Sequence, residues 1–122
     1  GHHPYAAFSP GPFDQPDEQG AHKNALFDGD RAIGTLIEGL RTRGLLDRTL
    51  FVIVGDHGEA FGEHAGNVGH SLFLYEENVH VPLAIVAPGS ALTPGASDRT
   101  ASIIDIAPTV RDLLGLGARG LR

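Results

Sequence analysis

The sequence predicts an α/β domain with a largely parallel sheet flanked by helices, and three observations carry that expectation. Apolar residues recur at helical spacing between Lys23 and Arg43. Thr49 to Val54 is an unbroken β-branched and aromatic run, the pattern of a strand buried on both faces. A second apolar run, Val79 to Ala87, is followed by another helical pattern ending at Gly115. Helix, strand, long loop, strand, helix is the order of α/β layering.

Each element has a local justification. Residues 1–21 hold Pro4, Pro10, Pro12 and Pro16 together with Gly1, Gly11 and Gly20, so they are expected to be an irregular loop segment. The first helix presents Leu26, Ala32, Ile33, Leu36, Ile37 and Leu40 on one stripe. Arg41 and Arg43 suit its C-terminal dipole, and Gly44 suits the residue beyond its cap. The loop after Val54 is rich in glycine and carries His57, His64 and His70. A long loop with little periodicity is usually functional or disordered, and the histidines favour function. Glu76 and Glu77 read as the start of a short helix, and Pro82 as the beginning of the second strand. Ser102 and Asp105 have capping-box spacing, Pro108 fits a first turn, and Val110, Leu113 and Leu114 share one face.

At 122 residues the chain is one domain's length, enough to bury about two-thirds of its unfolded surface. Two or three strands are too few for such a sheet to cover itself, so further strands are expected on another segment. The absence of Met and the abrupt start at Gly1 also suggest an excised piece. Residues 1–122 are therefore read as a single incomplete domain.

Composition excludes several classes. The formal charge is -6, with nine Lys and Arg scattered among 15 acids, so the basic footprint of a nucleic-acid binder is missing. Without Cys there are no disulfides, thiolate ligands or Cys nucleophiles. No stretch approaches the ~18 apolar residues of a membrane span, and Gly1 does not open a signal-peptide pattern.

The chemistry is concentrated at Gly55-Asp56-His57-Gly58-Glu59, directly after the first strand. Polar groups at a strand's carboxyl end are how open α/β sheets build sites. Neighbouring residues on a straight strand point apart, so Asp56 and His57 reach one ion only if the chain turns, which the flanking glycines permit. A carboxylate oxygen with a neutral imidazole suits Zn²⁺ or Mn²⁺, whereas Ca²⁺ asks for more oxygen donors. The plainer alternative makes Asp56 a turn cap and His57 a satisfied loop histidine. His70 can return to the same strand end to bind an anionic oxygen or the metal, or is simply a surface histidine. His2, beside His3 and Pro4, can be held rigidly against a substrate oxyanion, or belongs to a tag remnant. Glu59, Glu63 and His64 read as groups that order the loop rather than as ligands.

Three stretches together resemble a known family: Thr49-Leu-Phe-Val-Ile-Val-Gly-Asp-His-Gly-Glu-Ala-Phe-Gly-Glu-His64, Leu74-Tyr-Glu-Glu-Asn-Val-His-Val-Pro-Leu83 and Ile104-Asp-Ile-Ala-Pro-Thr-Val-Arg-Asp-Leu-Leu-Gly115. From His2 to Gly115 the chain is similar to the carboxyl-side portion of a sulfatase of the alkaline phosphatase superfamily. The resemblance implies a large α/β sandwich around a mostly parallel sheet and a covalent sulfo- or phospho-enzyme intermediate. It also implies one divalent cation, calcium by family likeness, with manganese or zinc as alternatives. By position, Asp56 and His57 match the second pair of metal ligands. His2 matches the substrate-contacting His of a His-x-Pro pattern, and His70 falls near the Lys or His that holds the ester oxygens. Both His2 and His70 are thus candidate catalytic and substrate-binding residues.

The departures limit what the chain does alone. The Cys/Ser-x-Pro-x-Arg nucleophile segment and the early acidic metal pair are absent. His80 stands where many relatives have Arg, and Ala65 replaces a common Gly. The isolated chain is therefore expected to be inactive, with the remainder of the catalytic domain and an anionic sulfate- or phosphate-ester substrate as its partners. Membrane contact is expected only through segments outside it. Two alternatives stand: a phosphoethanolamine or phosphoglycerol transferase or phosphodiester or phosphonate hydrolase of the same superfamily, and a non-catalytic binding module. The family likeness favours a periplasmic, extracellular or membrane-associated location.

Overall fold

A computed structural model describes Tyr5, residues 11–13, 16–89 and 92–117. Its elements in chain order are α1 (Glu18–Thr42), a 3₁₀ turn (Leu46–Arg48), β1 (Phe51–Val54), β2 (Ala60–Phe61), β3 (Val68–Gly69), α2 (Glu76–Val79), β4 (Leu83–Val86), a second 3₁₀ turn (Ile103–Asp105) and α3 (Ile106–Leu113). They fall into two compact units. One comprises Gly1–Asp47 and His57–His80; the other comprises Arg48–Asp56 and Val81–Arg122.

In the first unit α1 begins at Glu18 rather than near Lys23, taking the end of the stretch expected to be irregular. The reason is a cap that apolar periodicity does not register: the Asp17 carboxylate accepts the Gly20 N–H at 2.8 Å. Asn24 then ties the preceding segment down, its amide donating to the Phe13 carbonyl while its oxygen accepts the Phe13 N–H. At the other end Gly44 sits at φ 66°, its N–H on the Arg41 carbonyl and the Leu45 N–H on the Leu40 carbonyl. That is a Schellman closure, which needs the left-handed residue glycine supplies without strain. The long loop after β1 contains a small antiparallel hairpin, with Ala60 opposite Gly69 and Phe61 opposite Val68. Two-residue strands carry no periodicity, so the sequence did not reveal it. The short helix expected at Glu76 is α2.

In the second unit β1 and β4 pair antiparallel, Phe51 opposite Val86 and Val54 opposite Leu83. The Gly55 N–H on the Pro82 carbonyl, at 3.1 Å, extends the pairing one residue further. β4 is shorter than the expected strand from Val79 to Ala87, because Val79 closes α2. The second 3₁₀ turn, which leads directly into α3, opens with the Ser102 N–H on the Asp105 carboxylate. It ends in a second Schellman closure: Gly115 at φ 66° donates to the Asp112 carbonyl and Leu116 to the Arg111 carbonyl.

Both described pairings are antiparallel, and these local pairs neither make nor exclude a largely parallel sheet. Burial departs from expectation. Among the described residues the buried hydrophobic side chains are Ala25 and Ala60, while Ile53 and Val54 are each 37% exposed and Val86 is 56% exposed. A two-stranded sheet has two faces and cannot cover either by itself. No helix among the described residues is long and apolar enough to cross a membrane.

Candidate functional site

The run Gly55-Asp56-His57-Gly58-Glu59 leaves β1 as the sequence requires, but its glycines work by close approach rather than by a left-handed turn. Neither Gly55 nor Gly58 has positive φ. The Gly58 N–H donates to the Asn78 carbonyl at 2.8 Å, and a Cβ at Gly58 would overlap the Glu77 carbonyl oxygen. At Gly55 a Cβ would lie 3.1 Å from the Val81 Cβ, tight against a side chain rather than backbone. Side-chain absence at Gly58 thus lets the chain after His57 lie directly on α2.

Asp56 is exposed at the end of the second unit, and His57, also exposed, opens the first. The His57 ring is oriented by its own neighbour, with Nδ1 2.8 Å from the Gly58 carbonyl oxygen. A carbonyl accepts only, so Nδ1 carries a proton and the lone pair of the neutral ring belongs to Nε2. Metal-binding histidines are commonly oriented in this way. The His57 Nε2 is therefore the nitrogen able to donate a lone pair. Among the described residues no group of three or more His, Asp or Glu side chains is placed to hold a metal ion.

His70 is brought to His57. Their rings stack with centroids 4.0 Å apart and planes inclined by 23°. His70 Nδ1 lies 3.2 Å from both carboxylate oxygens of Glu59. Glu59 also accepts the Tyr5 hydroxyl. Its side chain is only 9% exposed, against 37% for His70. Burial by itself would raise the Glu59 carboxyl, but the hydrogen bonds from Tyr5 and His70 and the charges of His70 and His22 outweigh it and hold the carboxyl below its ordinary value. Burial and the same carboxylate push the Tyr5 phenol well above its usual range. His22 of α1 packs edge-on against Tyr5, at 4.8 Å, and tilted against Phe61 at 5.4 Å. Its Nδ1 is buried without a hydrogen-bond partner among the described residues, and burial lowers its pKa.

Beneath the histidines a buried polar lattice fixes the loop. The Asn67 amide donates to Glu77 and to the Asn78 side chain, both at 2.7 Å, and the Asn78 amide donates to the Gly69 carbonyl. Asn67 and Asn78 are 1% and 4% exposed. His64 binds Glu77 at 2.8 Å and stacks on Tyr75 at 4.0 Å. Glu63 accepts the Phe61 N–H. Glu59, Glu63 and His64 thus order the loop. Tyr5, His22, Asn67 and Asn78 were missed, since a buried asparagine or tyrosine shows itself only through distant partners. His2 lies outside the described residues.

Comparison with known proteins adds an independent observation. The sulfatase family model matches residues 3–116. The chain is 37% identical over 87 residues to arylsulfatase K of Bos taurus, covering 71% of this chain and 16% of that protein. It is 34% identical over 93 residues to choline-sulfatase of Rhizobium meliloti (strain 1021), covering 76% and 17%. Against arylsulfatase K of Homo sapiens the identity is 33% over 87 residues, covering 71% and 16%. The chain therefore spans about one-sixth of the length of these relatives. No solved structure matches it.

Proposed function

The chain belongs to the sulfatase family, whose fold is of the alkaline-phosphatase-like α/β type, and from that premise we propose that it supplies part of the cation and substrate site of a metal-dependent sulfuric ester hydrolase. The observation that carries this reading is the stacked pair His57 and His70, each with Nδ1 engaged by an oxygen, in the loop that follows β1 in sequence.

In this reading Asp56 and His57 hold a divalent cation, calcium by family likeness with manganese or zinc as alternatives, together with donors beyond the described residues. When bound, such a cation polarises a sulfuryl oxygen and favours the ionised form of a nucleophile. This chain's own residues do the rest. His70 donates from Nε2 to an ester oxygen, and its charge offsets the negative charge that grows there. An imidazolium at that position also has a proton to give to the leaving oxygen. His2 is proposed as a second group on the ester, from its place in the His-x-Pro pattern. The nucleophile is contributed from outside this chain, so the chain by itself is proposed to be inactive.

Phosphoryl transfer or phosphodiester or phosphonate hydrolysis by the same constellation is the competing chemistry, and a non-catalytic module the other. Kinetics with paired probes separates them. The complete enzyme is expected to release sulfate from an aryl sulfate, to be slower on the matching aryl phosphate diester, and to stop when a chelator removes the metal. Faster turnover of the phosphate diester would overturn the sulfatase reading, and no turnover of either with metal bound would overturn the enzyme reading.

A further inference from the structure

We propose that Glu59 is a positioning residue, fixing the ring of His70 so that Nε2 is the nitrogen presented to the ester; this rests on the sulfatase reading above. The geometry is specific. Glu59 sits on the hairpin side of the loop, nine-tenths buried, and its two carboxylate oxygens are both within 3.2 Å of His70 Nδ1. A carboxylate can only accept, so Nδ1 carries a proton in either charge state, and Nε2, which has a proton to donate to the ester in the imidazolium form, is the nitrogen left for substrate. The Tyr5 hydroxyl is a second donor to the same carboxylate, 54 residues away in sequence. It prevents Glu59 from rotating to follow His70 outward.

Burying a carboxylate is costly unless it is paired and hydrogen-bonded. A loop that needed only mechanical anchoring has the Asn67–Asn78–Glu77 lattice for that purpose. Glu59 adds something the lattice does not, a fixed ring plane with Nδ1 as the held nitrogen, on the histidine stacked against His57. Misplacing a charge-stabilising donor by even an ångström weakens it in the transition state more than in the bound ground state, so the deficit falls on kcat.

The test uses the complete enzyme with ¹⁵N-labelled histidine and three variants, Glu59→Gln, Glu59→Ala and Tyr5→Phe. Long-range ¹H–¹⁵N spectra of the wild type are expected to show His70 protonated at Nδ1 when neutral, the reverse of the preference of a free histidine side chain. Glu59→Ala should return His70 to the Nε2–H form, and Glu59→Gln, which keeps an acceptor, should retain the Nδ1–H form in part. With an aryl sulfate, kcat should fall about 10²-fold in Glu59→Ala and less in Glu59→Gln, KM changing by under about threefold and metal content by elemental analysis staying at wild-type level. Tyr5→Phe removes one hydroxyl and should give a smaller fall in kcat of the same kind. An unchanged His70 tautomer in Glu59→Ala, or a loss confined to KM, would overturn the positioning role. The spectra need no turnover: if the tautomer switches as expected while the wild type hydrolyses no sulfate ester, it is the sulfatase reading that fails.

Discussion

The loop from His57 to His80 and the strand pair β1–β4 hold their shapes by opposite means. In the loop the buried side chains, Ala60 apart, are polar: Asn67 and Asn78 are nearly inaccessible and every side-chain amide hydrogen bond described for them is 2.7–2.8 Å long. In the strand pair the ladder is in register but Ile53, Val54, Leu83 and Val86 remain between 37% and 56% exposed. Hydrogen bonds are directional and fix a side chain's position without a core. Apolar attraction is non-directional and becomes useful only when another surface arrives. The difference explains why the ordered imidazoles lie in the loop.

The largest test of that contrast is at the junction, where Asp56 belongs to one unit and His57 to the other. If both serve one cation, Asp56→Ala and His57→Ala in the complete enzyme should each lose the metal and lower turnover by about 10³-fold or more, the Lewis-acid contribution being several kcal/mol. Wild-type metal content in both variants would remove them from the cation site. Next in size, His70→Ala should lower turnover by about 10²-fold with metal retained, because it removes a donor to the ester and no ligand; unchanged kinetics would reduce His70 to a structural residue.

Stability changes are smaller and should differ between the regions. Gly58→Ala drives a methyl into the Glu77 carbonyl, backbone that cannot step aside, and should cost about 1–3 kcal/mol in urea unfolding. Gly55→Ala meets the Val81 side chain, which can yield by a few tenths of an ångström, and should cost less. A reversed order would mean that the loop, not the strand end, is the tolerant region.

The smallest effect is a pH dependence confined to the loop unit. Glu59 and Glu77 titrate below their ordinary 4.5 in the folded chain, burial being outweighed for Glu77 by hydrogen bonds from its own backbone, His64 and Asn67 and by the His64 charge. The stability they contribute is complete above pH 4.5 and is lost as pH falls through their folded values. His22, lowered from 6.5 by burial, adds to this: below pH 6.5 the unfolded chain takes up a proton that the folded chain refuses. Urea midpoints should therefore decline from pH 7 to pH 3.5, and Glu77→Gln should flatten the part below 4.5. An identical profile in that variant would show that Glu77 is not linked to folding.

Much of this protein was determined by sequence alone, wherever the controlling interaction is local. Gly44 and Gly115 mark helix ends because the Schellman bonds span only a few residues, and Glu76 marks α2 for the same reason. The β-branched run located β1, and Asp56, His57 and His70 stood out by residue type and spacing. Tertiary structure alone decided the rest: that α1 starts from an Asp17 cap, that Gly58 is a contact rather than a turn, that Asn67 and Asn78 form a polar interior, and that Tyr5 and His70 converge on Glu59. These depend on partners that only folding brings together, 54 residues apart for Tyr5 and Glu59 and 11 for Asn67 and Asn78. A side chain's type advertises what it can donate or accept, but burial and a distant partner determine whether it does.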